Sequence, residues 1–157
     1  MIKTEDIISE HLITLDLKAN SKKSAIAELA WMLFCAGKLR YFTGFIDSVN
    51  ERENALSTYC GSGIAIPHAK SLFVKEASFA FGRTCGFPWE KKEGNVNFIF
   101  LLAIPEVLSG NPSESDHIYL LSSIAELALE KNIRDKWAAA KTKRDIIETF
   151  TSILTDK

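Results

Sequence analysis

The run Asn97-Phe98-Ile99-Phe100-Leu101-Leu102-Ala103-Ile104 is apolar at every position after the first. A half-buried strand alternates apolar with polar residues, so an unbroken run of this length predicts a central strand covered on both faces. Shorter patterns before it read as further strands: Ala55 to Tyr59, Ile64 to Ile66 and Ala77 to Arg83. Before these strands Ser21 is placed to cap an amphipathic helix. Ile26, Leu29, Ala30, Leu33 and Phe34 recur in it at helical spacing, and Gly37 suits its left-handed stop. Phe42, Phe45, Ile46 and Val49 mark a second helix that ends in the charged run 50–54. At the N-terminus Thr4 starts a short helix through Glu10, and an alternating strand follows from Leu12 to Leu17.

Past the central run lies a loop from Pro105 to Ser115 with Gly110, Asn111 and Pro112. Asp116 then caps a helix through Ile118, Leu121, Ile124, Ala125 and Leu127. Two more helical patterns follow, one around Arg134 to Ala140 and one opened by Thr142 with Ile146, Ile147, Phe150 and Leu154 inward. Helices, then strands, then helices predict a sheet held between helical layers. With no linker, repeat or low-complexity tract, residues 1–157 read as one domain.

Composition narrows the function classes. Lys and Arg number 19 against 20 Asp and Glu, so no global field favours nucleic acid or anionic lipid, and any anion site is local. The apolar runs are too short to cross a bilayer, which argues against direct membrane insertion. No basic-then-apolar leader opens the chain. Cys35, Cys60 and Cys85 are odd in number and widely spaced, as reduced thiols in a cytoplasm would be.

The chemistry-bearing stretch is Arg52-Glu53-Asn54-Ala55-Leu56-Ser57-Thr58-Tyr59-Cys60-Gly61-Ser62-Gly63-Ile64-Ala65-Ile66-Pro67-His68-Ala69-Lys70. A polar turn with two glycines leads into a short apolar strand, which Pro67 ends, and His68 projects where the chain leaves the sheet. A histidine nucleophile needs one ring nitrogen exposed and unprotonated and the other held by a hydrogen bond. Glycines allow close backbone approach and turn amide N–H groups toward an anion. The local alternative is a turn histidine without a role.

Gly-Ile-Ala-Ile-Pro-His, preceded by Arg-Glu and Ser-Thr, resembles the phosphorylation-site signature of the IIA component of the bacterial sugar phosphotransferase system (PTS). The resemblance is to the fructose/mannitol family, which includes nitrogen-regulatory relatives, and it extends over essentially the whole chain. It implies a three-layer α/β/α sandwich with a central mixed sheet. It also implies that a histidine phosphocarrier protein phosphorylates His68, which passes the phosphoryl group to a cysteine of a IIB component and so serves a membrane IIC transporter. The second active-site histidine of the family matches His117, and the signature arginine matches Arg52.

Phosphoryl transfer depends mainly on positioning and charge stabilisation, and needs neither a metal nor an organic cofactor here. The group brings roughly −1.5 to −2 charges, which the planar fork of Arg52 offsets in part. His117 donates a ring N–H, and Thr58, Gly61, Ser62 and Gly63 are further candidate donors. Alone, Arg52 reads as a solvated helix-end residue, His117 as a first-turn residue and Asp116 as a helix cap. Cys60 reads as a small core or edge residue, His11 has no role, and Trp31, Trp89 and Trp137 are packing residues. Ala69 stands where the family often has Gly, and the 106–115 loop is longer than usual before the second histidine.

A regulatory protein of the same fold, signalling through its phosphorylation state, differs from a transport component only in its partners. An adaptor that has lost phosphorylation would have no use for Arg52, His68 and His117 together. No histidine has a second His or Cys at zinc-site spacing, and no G-x-S-x-G elbow supports Ser–His–Asp hydrolysis.

Overall fold

The computed structural model describes residues 8–106 and 122–155. The strands are β1 (Ile13–Thr14), β2 (Tyr59–Gly61), β3 (Ile64–Ala65), β4 (His68–Ser71), β5 (Ser78–Pro88) and β6 (Asn95–Pro105). They form one mixed sheet in the order β1-β5-β6-β3-β2, with β4 also paired to β6. The helices are α1 (Lys22–Cys35), α2 (Phe42–Ala55), α3 (Lys131–Ala139) and α4 (Lys143–Thr155), with residues 122–128 also helical.

The central run is the sheet's middle strand, and its two faces feed two separate cores. Ile99, Leu101 and Ala103 pack with Ile26, Leu29 and Leu33 of α1 and with Phe45 and Val49 of α2. Phe98, Phe100 and Leu102 pack with Ile124, Trp137, Ile146 and Phe150 on the other side. Trp137 organises that second core: its ring lies 5.2 Å from Phe100, 5.5 Å from Phe98 and 5.8 Å from Phe150, and its indole N–H donates to Thr149 Oγ1 at 2.9 Å. The α/β/α sandwich is therefore the consequence of a strand that must hide both faces.

Helix α1 starts as its sequence predicts. Ser21 Oγ accepts from the Ser24 amide in a reciprocal capping box, and Gly37 stands at φ 79° just past the end. Other expectations need correction. Ile8 and Ser9 are not helical and Glu10–Leu12 is a 3-10 turn, while the start of the expected first helix lies outside the described residues. The strand foreseen from Leu12 to Leu17 shrinks to Ile13–Thr14; beyond it Leu15 O accepts from Arg83 Nε and the Leu17 N–H donates to Arg83 O, with Asp16 and Lys18 in an exposed ion pair. Ala55 to Tyr59 is not a strand. The stripe Phe45, Val49, Glu53 stays on the buried face and carries α2 to Ala55, and pairing begins only at Tyr59. Strand β5 runs on to Pro88 beyond the expected Arg83, through an irregularity between Arg83 and Phe87. Phe34 and Trp31 lie on the outside, stacked on each other at 5.4 Å, so only Trp89 and Trp137 pack internally. Among the described residues no helix is long and apolar enough to cross a membrane.

Candidate functional site

Strands β3 and β4 are two halves of one line beside β6. Ile64 pairs with Phe98, Ala65 with Ile99, His68 with Leu102 and Ala69 with Ala103, all in parallel and in unbroken register. The interruption falls at Ile66-Pro67, where proline has no N–H to give the ladder. The Ile66 N–H instead donates to Thr58 O at 3.2 Å, and Pro67 O accepts from the Leu102 N–H at 3.0 Å. His68 is thus the first residue of a strand. The expectation that the chain leaves the sheet there is corrected: it resumes pairing with β6, which fixes the histidine backbone on both sides of the proline break. Along β4 His68 is half-buried and Lys70 exposed, whereas Ala69 and Ser71 point into the sandwich.

His68 Nδ1 lies 2.9 Å from Ile66 O. A backbone carbonyl only accepts, so in the neutral imidazole Nδ1 carries the hydrogen and Nε2 carries the lone pair. The residue therefore meets the two requirements of a histidine nucleophile, an oriented ring and a defined unprotonated nitrogen.

The end of α2 supplies the next layer. Arg52 Nη1 donates to Leu56 O at 2.8 Å, where the helix stops. Glu53 is buried at 3% exposure. Its carboxylate accepts from the Thr58 N–H at 3.2 and 3.3 Å, from the Thr58 hydroxyl, and from the Trp89 indole N–H at 3.1 Å. Lys22 Nζ stands 3.8 Å away, bonded to Glu90. The Thr58 hydroxyl hydrogen is therefore directed to Glu53. Sequence reading passed over Glu53 as part of a charged helix end. The available signal was its spacing of four and eight residues from Val49 and Phe45, which sets it on the buried face.

Gly61, Ser62 and Gly63 form the β2–β3 turn, at φ 84°, 55° and 79°. Positive φ at both Ser62 and Gly63 is the requirement of the tight hairpin turns that match strand twist. The register separates this turn from His68 by five residues of extended chain, about 17 Å. The Gly63 N–H donates to the Tyr59 hydroxyl at 3.3 Å. Ser62 lines an open cleft of about 480 Å³ with Arg83, Asn97 and Arg134. The turn is thus not beside His68, which corrects its expected use as a source of amide donors there. Cys60 lies on the outermost strand, with Sγ 3.3 Å from Thr58 O. Burial of the sulfur, and secondarily the charge of Glu53, push the thiol pKa up. His117 and Asp116, with residues 107–115 of the preceding loop, lie outside the described residues. Among the described residues no cluster of three or more His, Cys, Asp or Glu is arranged to hold a metal ion.

Known proteins resemble this chain along nearly its whole length. The family model described as "Phosphoenolpyruvate-dependent sugar phosphotransferase system, EIIA 2" matches residues 6–153. The chain is 30% identical over 149 residues to the fructose-specific EIIABC component of Bacillus subtilis, covering 94% of this chain but only 23% of that protein. It is 30% identical over 148 residues to a nitrogen regulatory protein of Bradyrhizobium diazoefficiens, covering 90% of both. The crystal structure of nitrogen regulatory protein IIA-Ntr from Neisseria meningitidis superposes with a TM-score of 0.80 at 27% identity, over 92% of this chain and 96% of that one.

Proposed function

The chain belongs to the EIIA 2 family of the phosphoenolpyruvate-dependent sugar phosphotransferase system, and on that premise we propose that it carries a phosphoryl group on Nε2 of His68. The observation that carries the proposal is the Nδ1 contact with Ile66 O, which leaves Nε2 as the nucleophilic nitrogen. The donor is a histidine phosphocarrier protein. Nε2 attacks its phosphorus, the P–N bond to the carrier breaks, and that electron pair returns to the carrier's ring. Positive charge developing on the His68 ring is stabilised through Nδ1–H and the Ile66 carbonyl. A IIB cysteine thiolate then attacks the same phosphorus, and Nε2 recovers its lone pair. Through IIB the group serves a membrane IIC transporter. A solved complex of enzyme IIA mannitol with phosphorylated enzyme IIB mannitol from Escherichia coli, whose IIA fold this chain resembles, illustrates the partner class.

Arg52 and His117 supply charge and a hydrogen bond to the transferred group. The match over residues 6–153 and the one sheet joining all described strands support reading residues 1–157 as a single IIA domain, and we propose that it works in the cytoplasm. A regulatory role is the second reading. It is favoured by the similarity to a nitrogen regulatory protein over 90% of both chains. Incubation with phosphoenolpyruvate and the general phosphotransferase proteins, followed by intact mass at non-acidic pH, tests the common step. The wild type should gain one phosphoryl group and His68→Ala none; a normal gain by the variant would overturn the assignment. Onward transfer to a IIB cysteine would then favour transport, and its absence with every fructose- or mannitol-type IIB would favour regulation.

A further inference from the structure

A buried carboxylate is linked to His68 by a relay of hydrogen bonds that passes through the backbones of Thr58 and Ile66. Glu53 accepts from the N–H and hydroxyl of Thr58, Thr58 O accepts from the Ile66 N–H at 3.2 Å, and Ile66 O lies 2.9 Å from His68 Nδ1. We infer that Glu53 is a positioning residue for His68, holding the Ile66 carbonyl where it selects the Nδ1–H tautomer. This deepens the phosphoryl-carrier reading and rests on it for its consequence in transfer, though not for its effect on the imidazole.

Two physical points make the connection directional. The segment 56–58 leaves a helix end, where the backbone carbonyls have no helical backbone partners; the Arg52 side chain holds Leu56 O, and Glu53 holds Thr58. Leu56 is 69% exposed and anchors nothing in the core. Three donors of Thr58 and Trp89 converge on one carboxylate, which ties the segment to α2 and to the residue just past the end of β5. The second point is Pro67. Because it offers no N–H, residues 66–67 lack the full ladder that holds the rest of the β3–β4 line. Of the Ile66 polar groups, the N–H is held by Thr58 and the carbonyl receives His68. Movement of Thr58 is therefore passed to the carbonyl that orients the ring. Glutamine removes the charge, and its NH₂ on the Thr58 side would face the Thr58 N–H and force the Thr58 hydroxyl from donor to acceptor.

The test measures the tautomer directly, by ¹⁵N NMR of the imidazole in the unphosphorylated protein, alongside the rate of phosphoryl transfer. In wild type, neutral His68 should be a single Nδ1–H species. Glu53→Gln should give a mixture of tautomers and slow transfer by about tenfold or more, the scale seen when the partner behind a metal-ligating histidine is lost. Thr58→Val, which deletes one hydroxyl and keeps the backbone, should show the same change to a smaller degree, and Thr58→Ser should restore wild-type behaviour. Thr58→Val carries the test if Glu53→Gln does not fold. Glu28→Gln is the control: Glu28 accepts from the Lys18 and Ala19 amides far from the chain of bonds, so it should lower stability and leave the tautomer alone. If the Glu53 and Thr58 variants fold, melt earlier and keep the wild-type tautomer and rate, the inference is overturned. If wild type shows the single tautomer but accepts no phosphoryl group, the carrier reading fails while the positioning of His68 stands.

Discussion

Gly63 and Asn97 are packed so closely that a Cβ on Gly63 would lie 2.6 Å from Asn97 Oδ1. Gly63 O also accepts from the Asn97 and Phe98 amides at 2.7 and 3.0 Å. This contact locks the start of β3 onto β6, and from there the unbroken register fixes where His68 stands. Gly63→Ala adds both the clash and a side chain at φ 79°. Such strain costs about 1–3 kcal/mol, so denaturant midpoints should fall accordingly. Unchanged stability would mean that the turn adapts and does not set the register.

Arg83 joins the sheet to the distal helices. Its Nε donates to Leu15 O at 3.1 Å, and Nη1 donates to the carbonyls of Trp137, Ala138 and Ala140 at 3.0, 3.3 and 2.7 Å. These are carbonyls of the last turn of α3 and its cap, where helical partners run out. Arg83→Met should lower stability by about 1.5–3 kcal/mol, the range for hydrogen bonds to a charged group. Phosphorylation of His68 at temperatures well below melting should be unaffected, because this contact lies at the far end of the sheet. A transfer defect in the folded variant would contradict that separation.

Cys60 offers a pH-dependent reporter of the buried carboxylate. Burial first, and then the charge of Glu53, raise its thiol pKa. A raised pKa means less thiolate at any given pH, so alkylation by iodoacetamide should be slower than that of free cysteine near pH 8, with its midpoint displaced upward. Glu53→Gln removes the second cause and should move the midpoint back toward the ordinary range without reaching it. A midpoint at or below that of free cysteine in wild type would contradict the direction.

Much of this was legible in the sequence because it follows from local rules. The run Asn97 to Ile104 had to be a doubly covered strand, and Ser21 and Gly37 bound α1 by capping chemistry alone. The signature singled out His68 as the candidate acceptor. What stayed hidden depends on pairing between distant segments. Pro67 read as the end of a strand, since only β6 shows that the chain resumes the same ladder at His68. Gly61 to Gly63 read as amide donors because they are close to His68 in sequence, but extended chain turns five residues into distance. Glu53 looked like one more charge in the run 50–54, and only Trp89 and Thr58, reached through folding, give its burial a purpose.

The last prediction concerns Arg52, whose two readings make different demands. In the resting structure Nη1 is bonded to Leu56 O and ends α2. If that were its whole role, Arg52→Ala would remove a basic residue from a helix C-terminus, worth about 0.3–1 kcal/mol, and transfer rates would not change. As a stabiliser of the transferred group, it would offer the phosphoryl oxygens the donors of its fork other than the one that holds Leu56 O. Removing a fully preorganised donor costs about 10²–10³ in rate. The loss should be no larger than that, and still well above what the stability change accounts for. Arg52→Lys keeps the charge but not the two parallel donors, so it should recover stability more completely than rate. Rapid-quench transfer from the phosphocarrier and onward to a IIB cysteine, measured beside denaturant unfolding, separates the two. Equal rates for wild type, Arg52→Lys and Arg52→Ala in both directions would leave Arg52 as a helix terminator only.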